Sequence, residues 1–239
     1  MIGRGGERHQ RIRAIEMDSS QNSLSHESEV SIKVPSASLE GSLHIPGSGS
    51  GIVVFAHGSG SSRLSPRNRY VSEVLQKQGM GTLLFDLLTR EEERIDDRTG
   101  RLRFDIGFLS RRLVEVTDWL LKYLEKDWKL GYFGASTGAA AAIVAAAQRP
   151  QVISAVVSRG GRPDLADEAL PRLKAPILLL VGGADRAVIE MNREAEKKIN
   201  AEKSLVIIPG ATHLFEEPGT LEEVARLAAG WFQRHFEGK

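Results

Sequence analysis

Six short, mostly apolar runs separated by longer amphipathic stretches constrain this chain more than any other feature. They lie at residues 52–56, 82–85, 130–133, 152–157, 177–181 and 205–208. A run of that length has the span of a strand, and one with no polar alternation needs cover on both faces, as in a parallel sheet flanked by helices. Two alternating segments at 29–34 and 39–45 stand before them and read as an antiparallel hairpin. The expected fold class is therefore α/β with a mostly parallel sheet. With 41% hydrophobic and 26% charged residues, 239 residues suffice for one sizeable core.

Between the strands, apolar residues recur at helical spacing. Val71, Val74 and Leu75 mark one helix, and Leu109, Leu113, Val116, Leu120 and Leu124 a second. Residues 139–147 are almost all alanine, so that helix can lie close against the sheet. A fourth runs from about 188 to 199, and Leu221, Val224, Ala228, Trp231 and Phe232 define the last. Residues 1–28 are polar and aperiodic and read as a flexible arm, with Met17 an alternative start. Residues 29–239 read as a single domain, without repeats or an internal linker.

Composition excludes several function classes. A net charge of +1, from 32 basic and 31 acidic residues, gives no global field for nucleic acid. Zero cysteines exclude disulfides, thiolate metal sites and thiol nucleophiles. No apolar stretch has the length of a membrane span, and the expected compartment is the cytoplasm. Neither a metal nor a cofactor is expected.

The chemistry concentrates in Gly134-Ala135-Ser136-Thr137-Gly138, which follows the 130–133 strand directly and opens the alanine-rich helix. In G-x-S-x-G between strand and helix the serine sits on a sharp, strained turn, and small neighbours remove the clashes that would forbid it. Ser136 then stands at the carboxyl end of the sheet over a helix N-terminus, which favours developing negative charge. A serine needs a base to take its proton and an acid to orient that base. Asp185 follows the 177–181 strand in Gly182-Gly183-Ala184-Asp185, and His213 follows the 205–208 strand in Pro209-Gly210-Ala211-Thr212-His213. Both loops open at the sheet edge that carries Ser136. Competing acids are Asp86, Glu216 and Glu217, and Asp185 has a second use as a helix cap. Pro218 fits the start of the last helix. His9, His26, His44 and His235 read as solvated or structural.

An oxyanion needs backbone N–H donors set in advance. Thr137, next after the nucleophile, supplies one, and the loop His57-Gly58-Ser59-Gly60-Ser61-Ser62 supplies the other at Ser59, with Gly58 and Gly60 allowing close approach. His57 reads as a buttress of that loop, and as an alternative base. The same loop, with Asp86 at the end of the next strand, approaches a dinucleotide-binding fingerprint, but Arg63 stands where the third glycine belongs. No Gly-Lys-Ser/Thr follows any glycine-rich stretch, which counts against a P-loop.

On these motifs the chain resembles the α/β-hydrolase superfamily, whose chain order is Ser…Asp…His, and within it the dienelactone hydrolase-related branch. The resemblance spans residue 29 to the C-terminus. It implies an eight-stranded, mainly parallel sheet, no cofactor, and ester hydrolysis through an acyl-enzyme. Dienelactone hydrolases proper carry a cysteine nucleophile, so Ser136 points to the serine esterases of the branch. Thioesterase or acyltransferase chemistry uses the same three residues, and a non-catalytic binding protein on this scaffold is a further alternative.

About twenty residues separate Val157 from Ile177, too few for a helical cap, so an open, shallow pocket for small or short-chain esters is expected. Residues 87–105, rich in charge, form either its rim or a solvated loop. Arg63, Arg67, Arg159 and Arg162 begin near strand ends, where they either hold a substrate carboxylate or phosphate or pair with Asp86, Asp164 and Glu91–Glu93. The expected partner is a small-molecule ester, with neither nucleic acid nor membrane, for a monomer or homodimer.

Overall fold

In a computed structural model, the structure describes residues 27–47, 49, 51–124 and 128–237. The strands are β1 (Glu27–Val34), β2 (Ala37–His44), β3 (Gly51–Ala56), β4 (Gly81–Phe85), β5 (Lys129–Ala135), β6 (Ile153–Arg159), β7 (Ile177–Gly182) and β8 (Lys203–Ile208). The α-helices are α1 (Pro66–Lys77), α2 (Arg90–Thr99), α3 (Ile106–Leu120), α4 (Thr137–Gln148), α5 (Arg186–Lys198) and α6 (Thr220–Phe236). Short 3-10 turns occupy Leu102–Phe104 and Pro163–Arg172.

All strands join one eight-stranded sheet in the order β1-β2-β4-β3-β5-β6-β7-β8. The hairpin is antiparallel, β2 runs antiparallel to β4, and every pair from β4 onward is parallel. The chain leaves β3 toward β4 on one side and returns to β5 on the other. This is the switch point at which the carboxyl ends of an open α/β sheet leave a crevice. No cap intervenes between β6 and β7, where the chain forms only the 3-10 turn.

Apolar alternation divides the core into two layers. Ile52, Val54 and Ala56 of β3 face a layer that includes Leu113, Val116 and Leu120 of α3 and the alanines of α4. Val53 and Phe55 face the other, with Val71 and Leu75 of α1 and Val224, Ala228 and Phe232 of α6. Methyl-sized side chains let α4 pack among its neighbours, and nine of its residues are buried, Ala139–Ala142 among them.

Three expectations change. Residues 87–105 are no loop: Thr89 and Glu92 form a reciprocal capping box at the start of α2, and Gly100 ends it in the left-handed conformation. The last helix begins at Thr220 behind Gly219, so Pro218 lies in the turn before it. Of the arm, residues 1–26 lie outside the described residues, as do His9, His26 and Met17, while Glu27 and Ser28 pair with His44 and Leu43 in β1.

Candidate active site

Ser136 has φ 51° and ψ −121° as β5 turns into α4. Left-handed backbone at a residue with a Cβ costs about 1–3 kcal/mol, and surrounding contacts must over-determine it. They do. The Ser136 N–H donates to the Arg159 carbonyl at 3.2 Å, and the Ser136 carbonyl accepts from Ala139 N at 3.1 Å and Arg162 N at 3.2 Å. The turn also requires its glycines: a Cβ at Gly134 would lie 2.4 Å from Ala139 Cα, and one at Gly138 only 2.2 Å from the Ala56 carbonyl oxygen. Ser136 thus stands at the first turn of α4, whose free N–H groups point toward it.

Asp185 Oδ2 lies 2.7 Å from His213 Nδ1. Asp185 occupies the N-cap position of α5 yet makes no side-chain capping bond, so its carboxylate serves the histidine and not the helix. The rival acids are engaged elsewhere. Asp86 accepts from the Arg63 backbone and guanidinium, Glu216 pairs with Arg67, and Glu217 accepts from Thr212 N at 3.0 Å, which steadies the loop before His213. Phe215, the second non-glycine residue with positive φ among the described residues, buries its ring and anchors the far side of that loop.

Three elements converge on Ser136. A Cβ placed on Gly58 would sit 3.1 Å from Ser136 Cβ, which brings the β3 loop against the Ser136 turn. His213 Cε1 lies 3.5 Å from the corresponding position at Gly160, next to the residue whose carbonyl holds Ser136. The His213 side chain is 39% exposed. Ser136 Oγ makes no hydrogen bond to it in this structure, as is common before a substrate draws the groups together.

The oxyanion expectation is modified. The Ser59 N–H donates to Thr137 Oγ1 at 3.0 Å, so in this state it is capped by the threonine hydroxyl. A small cavity of about 60 Å³ adjoins this contact, lined by Ser59, Thr137, Asp86, Leu87 and Arg103 among others.

His57 is corrected as a substrate-binding candidate and as an alternative base. Its Nε2 accepts from Leu87 N at 2.9 Å, which leaves Nδ1 to donate to the Gly58 carbonyl at 3.0 Å. Both ring nitrogens are spent on joining the β3 and β4 loops. Burial holds its pKa below the usual histidine value, against the pull of Gly58, Asp86 and Glu93.

Two of the arginines are likewise spent. Arg63 pairs with Asp86 at 2.6 Å, Glu40 at 3.1 Å and Glu29 at 3.2 Å, and Arg162 forms a two-point pair with Asp164. Arg159 is different: it is 7% exposed, its guanidinium makes no hydrogen bond, and its Cζ lies over the Phe215 ring, 5.9 Å from the centroid. Sequence inspection missed Arg112, 2% exposed, which pairs with Glu92 and donates to the Leu87 carbonyl. Its signal was an arginine inside the apolar stripe of α3.

A parallel sheet with a strained serine turn at its switch point, and a histidine–aspartate pair delivered by later strands, defines an α/β hydrolase. The dienelactone hydrolase family model matches residues 39–237, and the chain belongs to that family. It is similar to a dienelactone hydrolase from Anabaena variabilis, at 59% identity and TM-score 0.86 over 89% of this chain and 99% of that one. Est1E from Butyrivibrio proteoclasticus shares the fold at 18% identity and TM-score 0.72, over 91% of this chain and all of that one. Two Mycobacterium tuberculosis proteins with the provisional name phosphoribosyl transferase are 54% identical over 211 residues. That segment is 88% of this chain but 47% of theirs, so the chain spans about half the length of these curated relatives.

Proposed function

We propose that the protein is a serine hydrolase that cleaves carboxylic esters of small or short-chain acids through an acyl-enzyme. The observation that carries this reading is the Asp185–His213 pair beside a serine held at positive φ. Ser136 Oγ attacks the ester carbonyl as His213 accepts its proton, and Asp185 fixes the tautomer and stabilises the imidazolium. Thr137 N–H, at the start of α4, and Ser59 N–H receive the oxyanion. For Ser59 this requires the Thr137 hydroxyl to release its hydrogen bond, so the hole opens as the carbonyl enters. His213 protonates the departing alcohol. Water activated by the same histidine then frees the acid and restores Ser136. The capless edge, which offers little apolar wall, favours small groups over long acyl chains.

The transferase name of the mycobacterial proteins describes chains about twice as long as the segment in common. For that segment the hydrolase reading accounts for the strained serine, which a transferase reading leaves without a role. We expect a fluorophosphonate probe to modify Ser136 alone, located by mass spectrometry, and Ser136→Ala to abolish both labelling and ester turnover while the fold survives. Turnover by Ser136→Ala within tenfold of the wild type would remove the assignment.

A further inference from the structure

We propose that Arg159 binds an anionic oxygen group, a carboxylate or a phosphate, carried by the substrate a few bonds from the scissile carbonyl. The inference rests on the hydrolase reading for the position of that carbonyl, and on a separate observation for the anion.

That observation is an unspent buried charge. Arg159 is the last residue of β6, and Nε and Nη1 of its guanidinium are enclosed without an acceptor. Nη2 also has no acceptor and is the one nitrogen not enclosed, so it opens toward the surface. The guanidinium remains protonated at neutral pH even though burial, reinforced by the nearby Arg67 charge, lowers its pKa to about 10. An unpaired buried ion is costly, and proteins ordinarily supply a partner. This chain does so elsewhere: Arg63, Arg103, Arg112, Arg149 and Arg162 each face a carboxylate. The charge nearest in effect is itself positive: Arg67 pairs with Glu216, and its Nε is buried without an acceptor. Arg159 therefore sits near a second guanidinium and has no carboxylate of its own.

The charge is placed for the reaction. Ala135, the residue before the nucleophile, pairs with Arg159 across adjacent strands, and the Arg159 carbonyl holds the Ser136 N–H. Adjacent strands lie about 5 Å apart. Ser158 packs toward Gly161 and Ala139 on the α4 side of the sheet, so strand alternation sends Arg159 to the opposite face, beside Phe215 and beneath the loop that carries His213. An oxyanion on a short acid reaches this guanidinium while its ester carbonyl lies at Ser136. Through Nη2 the guanidinium offers a charge-assisted N–H donor to a carboxylate or phosphate oxygen.

The test compares p-nitrophenyl hemisuccinate with p-nitrophenyl butyrate, equal in acyl length and different in charge, and adds succinate or inorganic phosphate as ligands without a scissile bond. We expect the wild type to favour the hemisuccinate in kcat/KM by about tenfold or more. Arg159→Met should reduce that ratio to near unity, and Arg159→Lys should restore part of it. In Ser136→Ala, which needs no turnover, either anion should raise the Tm by several degrees and lose that effect once Arg159→Met is added. A shift with phosphate and not succinate assigns a phosphate-bearing ester; the reverse assigns a dicarboxylic half-ester. Equal kcat/KM for the two esters, with no anion-induced shift in Ser136→Ala, overturns the proposal and leaves the hydrolase reading intact. Anion-induced shifts that depend on Arg159, without hydrolysis of either ester, retain the subsite and remove the hydrolase reading.

Discussion

The two flanks of the Ser136 turn treat buried positive charge in opposite ways. On the β4 flank, Arg63 meets three carboxylates, Arg103 pairs with Asp96 and Asp97, and Arg112 is clamped by Glu92 and the Leu87 carbonyl. His57 joins this network through Leu87 N, so the β3 loop beside Ser136 is fixed by groups that have no capacity left for a ligand. On the β6 flank, Arg159 is as enclosed and has no carboxylate, and His213 reaches solvent. A charge that serves the fold is neutralised within the fold, because an unpaired buried ion is too costly to keep without use. The rigid flank holds the β3 loop; the other keeps a buried guanidinium that no carboxylate neutralises.

The largest expected effect lies where the flanks meet. Asp185→Asn leaves His213 with a hydrogen-bonding neighbour that favours the wrong tautomer and cannot stabilise imidazolium, so kcat for ester hydrolysis should fall by roughly 10⁴-fold with little change in Tm. A loss under tenfold would make Asp185 an ordinary loop residue. Next comes a direct comparison of buried arginines by thermal unfolding. Arg112→Met strands the Glu92 carboxylate and should cost about 3 kcal/mol, a Tm drop of roughly 6–12 °C. Arg159→Met strands no partner and relieves an unpaired charge, so its Tm should match or exceed that of the wild type. Equal losses in both variants would break the contrast between the flanks.

The smallest effect concerns pH. Burial lowers the pKa of His57, so between that value and the unfolded value of 6.5 the unfolded chain binds a proton that the folded chain refuses. This contribution to stability is present above pH 6.5 and is lost as the pH falls below it. His57→Gln should therefore show a shallower decline in denaturant midpoint from pH 6.5 to 5 than the wild type, and a few-fold loss of kcat from a loosened β3 loop. Parallel declines in the two proteins would place the titrating group elsewhere.

Much of the fold was legible because its signals are local. Mostly apolar runs marked β3 to β8, alternation marked the β1–β2 hairpin, and the alanines marked a helix able to pack tightly against the sheet. Ser136, Asp185 and His213 were legible for a similar reason: each sits one turn beyond a recognisable strand, and parallel strands deliver their carboxyl ends to one edge. The helix at Arg90–Thr99 was obscured by its charge, although Thr89, Glu92 and Gly100 spelled its caps. The fates of the arginines were not legible. Arg63 and Arg159 look alike in sequence, each a few residues from a strand end with acids within reach, and only the packing of distant segments decides which acid arrives.

The sequence by itself determined the layer architecture, the chain order of serine, acid and base, and the exclusion of thiol chemistry, because hydrophobic period, turn chemistry and residue identity act over a few neighbours. Tertiary structure decided that His57 is a brace, that the Thr137 hydroxyl caps the Ser59 N–H, that Asp185 and not Asp86 or Glu217 reaches the histidine, and that Arg159 is left without a carboxylate. Those outcomes depend on which groups meet across long loops, and on the cost of leaving a buried charge or hydrogen bond unmatched once they do.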